Sequence, residues 1–265
     1  MKGTLNAWPK LVAVAAALVL ALTACGEVPT SSAAASSFAP RGVTLRVFAA
    51  ASLKATFTEL AQEFENGHPG TTVSLNFGGS SDLVAQLQNG APADVFASAD
   101  EANMAKATAA GLASGTPRIF ASNVLELAVP KGNPAGIHSL QDVAKPGVRL
   151  VVCAKQVPCG AAAQKAAASA GVALKPVSEE QSVADVLAKV TSGDADAGLV
   201  YVTDVKGAAG KVEGVGFPES SAAVNRYPIA ALKQSKEAAL AQAFVDFVGG
   251  ESGRKVLGDA GFGAP

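Results

Sequence analysis

Histidine and cysteine are scarce in this chain: of 265 residues, two are histidine and three are cysteine. A structural zinc site wants four ligands, usually built from close Cys or His pairs. His68, His138, Cys25, Cys153 and Cys159 do not supply such a set, so no protein-held metal ion is expected. The same scarcity leaves poor material for a Ser-His-Asp triad. FGGSSDL at 77–83 places Asp82 where a Gly-x-Ser-x-Gly elbow would need glycine. GVGFPE at 214–219 fails the Gly-x-Gly-x-x-Gly fingerprint, and no Walker loop occurs. These absences point away from an enzyme. Aromatic residues make up 5% and charged residues 16%, with no basic run, arginine-rich stripe or aromatic platform of the kind a nucleic-acid binder needs. No nucleic-acid partner is expected. With 49% hydrophobic residues and so few aromatics, the core must be built mainly from Ala, Val and Leu.

What is present begins with MKGTLNAWPKLVAVAAALVLALTACGE: two lysines, an apolar run from Leu11 to about Leu22, then small residues before Cys25. The run is too short to span a bilayer comfortably and has the order of an export signal. Residues 1–24 are read as that signal, cleaved on export. Leu22-Thr23-Ala24-Cys25 resembles a bacterial lipoprotein signal, in which the cysteine becomes the acylated first residue of the mature protein; an ordinary signal with a chance cysteine is the alternative. Residues 25–42 then comprise the lipidated Cys25 and a Ser-, Ala- and Pro-rich tether without apolar periodicity. Such a tether holds a domain roughly 20 to 25 Å from its anchor. The remainder is long enough for one large domain or two ordinary ones.

Export also decides how VVCAKQVPCG, residues 151–160, is read. The gap between Cys153 and Cys159 is wider than that of a Cys-x-x-Cys redox pair. In an oxidising compartment a Cys153–Cys159 disulfide is expected, contributing roughly 2 to 2.5 kcal/mol through loop closure.

From Val43 onward the pattern is strand, turn, helix, repeated. VTLRVFAAA reads as a strand and SLKATFTELAQEFENG as a helix, with Ser52 placed to cap it and Phe57, Leu60, Ala61 and Phe64 on one face. TTVSLNF, ADVFASAD, NVLELAVPKG, VRLVVC and DAGLVYVTDV read as strands. Helices are expected from Ser80 or Ser81, over EANMAKATAAG, SLQDVAKPG, PCGAAAQKAAASAG and EEQSVADVLAKVTSGD, and in the tail over KEAALAQAFVDFVGG. SAAVNRYPIAAL reads as an extended run. The alternation predicts an α/β fold with parallel or mixed sheets between helices, and ligands in such folds sit where strands end and helices begin. His68 in NGHPG and His138 in GIHSL read as loop residues.

Four turns are rich in small polar residues: AAASL at 49–53, FGGSSDL at 77–83, QVPCG at 156–160 and EQSVADV at 180–186. A helix start offers unpaired N–H groups and the positive end of a dipole, a donor-rich place for an anion. Plain helix capping is the simpler reading of each serine taken alone, and only convergence on one cleft would overturn it.

FAAASL, FGGSSDL, GAPADVFASAD, VPCG and GLVYVTD, in that order and spacing from about Val43 to Phe262, resemble the molybdate-binding proteins of bacterial molybdate ABC importers. The resemblance implies a two-lobed, type II periplasmic-binding-protein-like fold with the chain crossing twice between lobes and the ligand in the interlobe cleft. Lobe 1 would comprise 43–122 plus 226–265 and lobe 2 123–225. Molybdate, with tungstate as a second ligand, would meet the hydroxyls and N–H groups of Ser52 and Ser80, the N–H groups of Cys159 and Val183, and the Tyr201 hydroxyl. Tyr201 alone would otherwise read as a core residue at a strand end. Many relatives have alanine where this chain has Cys159, which changes the packing beside the ligand while leaving the backbone donor in place. Cys159 would thus both end the staple and line the site, so that the disulfide fixes the turn that aims its N–H. The resemblance further implies a monomer without cofactor, anchored at the outer face of the cytoplasmic membrane and serving ABC permease subunits. Alternatives are a receptor for another small oxyanion such as sulfate and, from a different class, an esterase-like lipoprotein. A ferric-ion binder would want clustered tyrosines, and only Tyr201 and Tyr227 exist.

Overall fold

The structure is a computed structural model that describes residues 42–265. The export signal, Cys25 and all of the tether but Gly42 lie outside the described residues.

Two five-stranded mixed sheets are flanked by helices. The first has the order β2-β1-β3-β10-β4, formed by β1 (Val43–Ala50), β2 (Thr71–Gly78), β3 (Val95–Ala97), β4 (Arg118–Asn123) and β10 (Asn225–Ala231). The second has the order β7-β6-β8-β5-β9, formed by β5 (Leu125–Pro130), β6 (Leu150–Cys153), β7 (Ser178–Glu180), β8 (Ala197–Tyr201) and β9 (Val212–Val215). Each sheet has three neighbouring parallel strands and two antiparallel contacts: β1 runs parallel to β2 and β3 while β10 opposes β3 and β4, and β6 runs parallel to β7 and β8 while β5 opposes β8 and β9. The chain leaves the first sheet between Asn123 and Leu125 and returns to it at Asn225.

The helices follow from apolar spacing. Phe57, Leu60, Ala61 and Phe64 recur at helical intervals on α1 (Lys54–Gly67) and are buried against the first sheet. Phe57 meets Phe120 of β4 at 5.8 Å and Phe244 of α7 (Ala238–Val248) at 6.1 Å, and Phe64 stands edge-on to Phe244 at 5.1 Å. Each such ring contributes about 1.5–3 kcal/mol by burial, which makes this cluster the anchor of one face of the sheet. The opposite face packs Leu83, Val84 and Leu87 of α2 (Ser80–Gln88) and Met104 and Ala107 of α3 (Glu101–Ala109). Around the second sheet lie α4 (Pro158–Ala170), α5 (Val183–Thr191) and α6 (Val202–Gly207). Their core is almost wholly small and aliphatic: Ala162, Ala163, Ala166, Val186 and Val190 pack on Leu150, Val151, Ala197 and Leu199.

Several elements differ from the sequence-based expectation. The strand over ADVFASAD is only Val95–Ala97, and SLQDVAKPG forms no more than a 3-10 turn at Asp142–Ala144. EEQSVADVLAKVTSGD divides: Ser178–Glu180 extends as an edge strand beside β6, and the helix begins at Val183 after Ser182, whose hydroxyl accepts from Asp185 N at 3.3 Å. DAGLVYVTDV stops being a strand at Tyr201 because the Asp204 carboxylate accepts the Tyr201 N–H at 2.9 Å and starts α6. Strands β4 and β9 and the last helix, α8 (Glu251–Ala260), were not anticipated. Ser52 does not cap α1. It lies within a 3-10 turn, Ala51–Leu53, and its hydroxyl turns to Tyr227 instead.

Phe57→Ala, which leaves a cavity at the junction of α1, β4 and α7, is expected to lower unfolding free energy by about 3–5 kcal/mol in urea titrations.

Candidate functional site

The turns that follow β1, β2 and β6, the start of α5 and the end of β8 meet in one enclosed cleft. From the first sheet come Ala50, Ala51, Ser52, Gly78, Gly79, Ser80 and Ala99, and from the second Val157, Pro158, Cys159, Val183 and Tyr201. All five residues expected to contact a ligand, Ser52, Ser80, Cys159, Val183 and Tyr201, therefore line the same space. Among the described residues, no Lys, Arg, His, Asp or Glu side chain lines it. The free space in the cleft is small, about 10 Å³.

Local chemistry fixes each wall. Ser80 is the first residue of α2, and its buried hydroxyl accepts a hydrogen bond from Ala99 N at 2.9 Å. An N–H can only donate, so the Ser80 proton stays available for another acceptor. Ser52 Oγ stands 3.1 Å from Tyr227 Oη. On the facing side, Pro158 occupies the first turn of α4, where its missing N–H costs nothing, and Cys159 follows. The N–H groups opening α2, α4 and α5 have no intrahelical acceptor, and each helix start faces the cleft through Ser80, Cys159 or Val183. Cys153 and Cys159 are joined by a disulfide with a Cα–Cα distance of 5.7 Å, tying the end of β6 to the first turn of α4. Gly160 belongs to the same turn: a Cβ there would stand 2.1 Å from the Ala154 carbonyl oxygen, so only glycine lets α4 start so close to β6.

Tyr201 closes the cleft. Its side chain is 1% exposed, and its hydroxyl has no hydrogen-bond partner. Burial, the nearby Tyr227 ring and the Asp204 and Asp100 carboxylates keep it protonated far above the ordinary tyrosine range, so it can serve as a donor. Ser81 Oγ, also unpaired, does not line the cleft. Gly79 marks a close approach of the two sides: its backbone (φ −63°, ψ 136°) suits any residue, yet a Cβ would come within 2.0 Å of the Gln181 carbonyl oxygen. Other polar links join more distant parts of the chain, from Asn123 Nδ2 to Thr203 Oγ1 (2.8 Å), from Asn103 Nδ2 to the Gln156 carbonyl (3.4 Å) and from Lys206 Nζ to the Asp259 carbonyl (2.6 Å). Ion pairs among the described residues, such as Arg149–Asp196 and Lys255–Asp259, lie elsewhere on the surface.

This geometry, a donor-lined cleft between two mixed sheets, has counterparts. The profile of the bacterial extracellular solute-binding proteins matches residues 45–263. The chain belongs to that family. The molybdate-binding protein ModA of Mycobacterium tuberculosis is 47% identical over 95% of this chain and 96% of its own length. The molybdate-binding protein ModA of Escherichia coli is 31% identical, covering 86% of this chain and 95% of that one. Among solved structures, the periplasmic molybdate-binding protein of Azotobacter vinelandii superposes with a TM-score of 0.72 at 27% identity, covering 83% of this chain and 99% of its own. The resemblance carried by FAAASL, FGGSSDL, GAPADVFASAD, VPCG and GLVYVTD is thus borne out by full-length similarity. Among the described residues of this solute-binding protein no helix is long and apolar enough to cross a membrane, and no group of three or more His, Cys, Asp or Glu side chains could hold a metal ion.

Sequence reasoning missed the parts of the site that carry no recognisable chemistry. Ala50, Ala99 and Val157 line the cleft as small apolar walls. Tyr227, fully buried behind Ser52, was placed only on an extended run; its one signal is a phenol among the apolar residues of β10.

Asp204, at the start of α6 behind Tyr201, has its carboxyl pushed up to about 7 by burial, offset in part by the Tyr201 N–H. A raised folded-state pKa means that the neutral form is favoured on folding: its contribution is full below the ordinary value of 3.8 and fades as pH rises through about 7. Asp204→Asn, which keeps an acceptor for Tyr201 N, should match the wild type in acid and exceed its stability by about 1–2 kcal/mol above neutrality. Urea denaturation across pH checks this.

Proposed function

We propose that this protein captures molybdate, and tungstate with it, outside the cytoplasm and delivers the ion to the permease subunits of an ABC importer. The observation that carries the reading is the convergence of Ser52, Ser80, Cys159, Val183 and the unpaired Tyr201 hydroxyl on one cleft without a charged side chain. Its relatives named as molybdate-binding proteins support the choice of ion.

Molybdate at neutral pH is a fully deprotonated tetrahedral dianion, so each of its oxygens can only accept. Two serine hydroxyls, the N–H groups at helix starts and Tyr201 Oη offer it donors alone. Hydrogen phosphate carries a proton that wants an acceptor, and leaving a buried group unpaired costs about 1–3 kcal/mol. Hydrogen bonds to a charged partner contribute roughly 1.5–3 kcal/mol each. Six or seven therefore support nanomolar affinity, near about −12 kcal/mol, after desolvation and closure are subtracted. No lysine or arginine need touch the ion.

In this reading residues 43–122 with 226–265 form one lobe and 123–225 the other, and the two part to admit the ion and close on it. The crossings near Asn123 and Asn225 serve as the hinge. Cys25, acylated after removal of residues 1–24, anchors a monomer by its tether at the outer face of the cytoplasmic membrane. The protein binds and releases without turnover: among the described residues, the serines of the cleft, Ser52 and Ser80, have neither a histidine nor a carboxylate lining it beside them.

Calorimetric titration of the mature protein with molybdate, tungstate, sulfate and phosphate tests this. Stoichiometric binding of molybdate and tungstate is expected, with sulfate and phosphate more than about tenfold weaker, a gap of ~1.4 kcal/mol. Preference for sulfate, or ester hydrolysis abolished by Ser80→Ala, would overturn it.

The disulfide aims the Cys159 N–H in the same reading. Replacing Cys153 and Cys159 together by alanine should cost about 2 kcal/mol of stability and weaken molybdate binding by about fivefold, ~1 kcal/mol. An affinity within twofold of the wild type would remove the orienting role and leave the bridge a staple only.

A further inference from the structure

Behind the cleft lie two sets of hydrogen-bonding side chains, Asn123 with Thr203 and Tyr227 with Ser52. Val124 N, on the segment that joins the two sheets, donates to Asn123 Oδ1 at 3.0 Å. A backbone N–H has no acceptor capacity, so the Asn123 amide oxygen must face it and the amide nitrogen must face the other way. That nitrogen donates to Thr203 Oγ1 at 2.8 Å. Tyr227 is fully buried, its ring held edge-on by Phe120 at 6.3 Å and Phe262 at 5.4 Å, and its Oη stands 3.1 Å from Ser52 Oγ. Among the described residues Ser52 Oγ is the hydrogen-bond partner of this buried hydroxyl, and a buried O–H needs an acceptor, so the phenol gives its single proton forward.

We propose that Tyr227 is a positioning residue: by donating to Ser52 Oγ it commits the one proton of Ser52 to the guest and so sets the discrimination between fully deprotonated and protonated oxyanions. The proposal rests on the oxyanion reading and deepens it. A serine hydroxyl is both donor and acceptor, so Ser52 left alone could turn its lone pairs to the cleft and welcome a protonated anion. Ser80 is held in the same sense by a different donor, Ala99 N. Both serine hydroxyls in the cleft therefore receive a hydrogen bond from behind, Ser80 from an N–H and Ser52 from a phenol, which leaves each serine proton to the guest. Of the two, the Ser52 arrangement is the one a side-chain change can undo.

The experiment is a double-mutant cycle on the mature protein with Tyr227→Phe, Ser52→Ala and both together, each titrated calorimetrically with molybdate and with inorganic phosphate at a pH where phosphate retains a proton. Phenylalanine keeps the ring among Phe120, Tyr201 and Phe262, and the thermal midpoint of each variant reports whether packing survived. Tyr227→Phe is expected to weaken molybdate about fivefold to tenfold and to narrow the molybdate-to-phosphate ratio by a similar factor. In the Ser52→Ala background the same change should alter molybdate affinity by less than about twofold, since the group it acts through is gone. An equal loss for both anions, or the same loss with and without Ser52, would show general structural support and overturn the proposal while leaving the oxyanion reading intact. Failure of the wild type to bind molybdate would remove that reading and the proposal with it.

Discussion

A hydroxyl sealed from water without a partner costs about 1–3 kcal/mol, and the cleft between the two sheets holds such a group in Tyr201 Oη. Around it are helix starts whose first N–H groups also lack intrahelical acceptors, and no side chain of opposite character lines the space to quiet them. The rest of the architecture can be understood as what keeps those donors pointed inward. Strand β8 delivers Tyr201 and ends there because Asp204 takes its N–H. The disulfide and Gly160 hold α4 against β6, while Ala99 N and Tyr227 stand behind the two serines.

The division of labour between the halves is physical. The first sheet is anchored on aromatic rings, with Phe57, Phe64, Phe120 and Phe244 in mutual contact. The second is packed by alanine and valine and gains its covalent tie where α4 begins. A small-residue core brings α4 and α5 close to their sheet, and Gly198 shows how close: a Cβ there would meet Val186 Cγ1 at 2.7 Å. Compact layers on that side present the helix starts to the cleft with little side-chain bulk between.

Much of the α/β order was legible because the strands and helices announce themselves by period. The α1 face of Phe57, Leu60, Ala61 and Phe64 needed no tertiary information. What was lost was lost for local reasons. Helix α8 carries Gly253 and Gly258, poor helix formers, and Gly253 is there because a Cβ would meet the Val248 carbonyl oxygen at 1.8 Å, a packing demand invisible in one dimension. Strand β4 follows Pro117 and mixes polar with apolar residues, and β9 is short and carries Gly214. At the site, Ser52, Ser80, Cys159, Val183 and Tyr201 were reachable only through family resemblance. A serine before a helix looks the same whether it caps, as Ser182 does, or turns elsewhere, as Ser52 does toward Tyr227. Tyr227 had no motif at all, since what singles it out is a neighbour 175 positions away.

The wall formed by Ala50, Ala51, Gly78, Gly79 and Ala99 has a bearing on redesign. Specificity pockets are commonly widened by trimming a bulky residue, but these positions are already at or next to the minimum side chain, and one close point sets Gly79 against main-chain oxygen. A roomier chamber would have to come from re-routing the backbone or from halting the approach of the two halves, so the size limit is written in the course of the polypeptide itself and is correspondingly hard for single substitutions to erode.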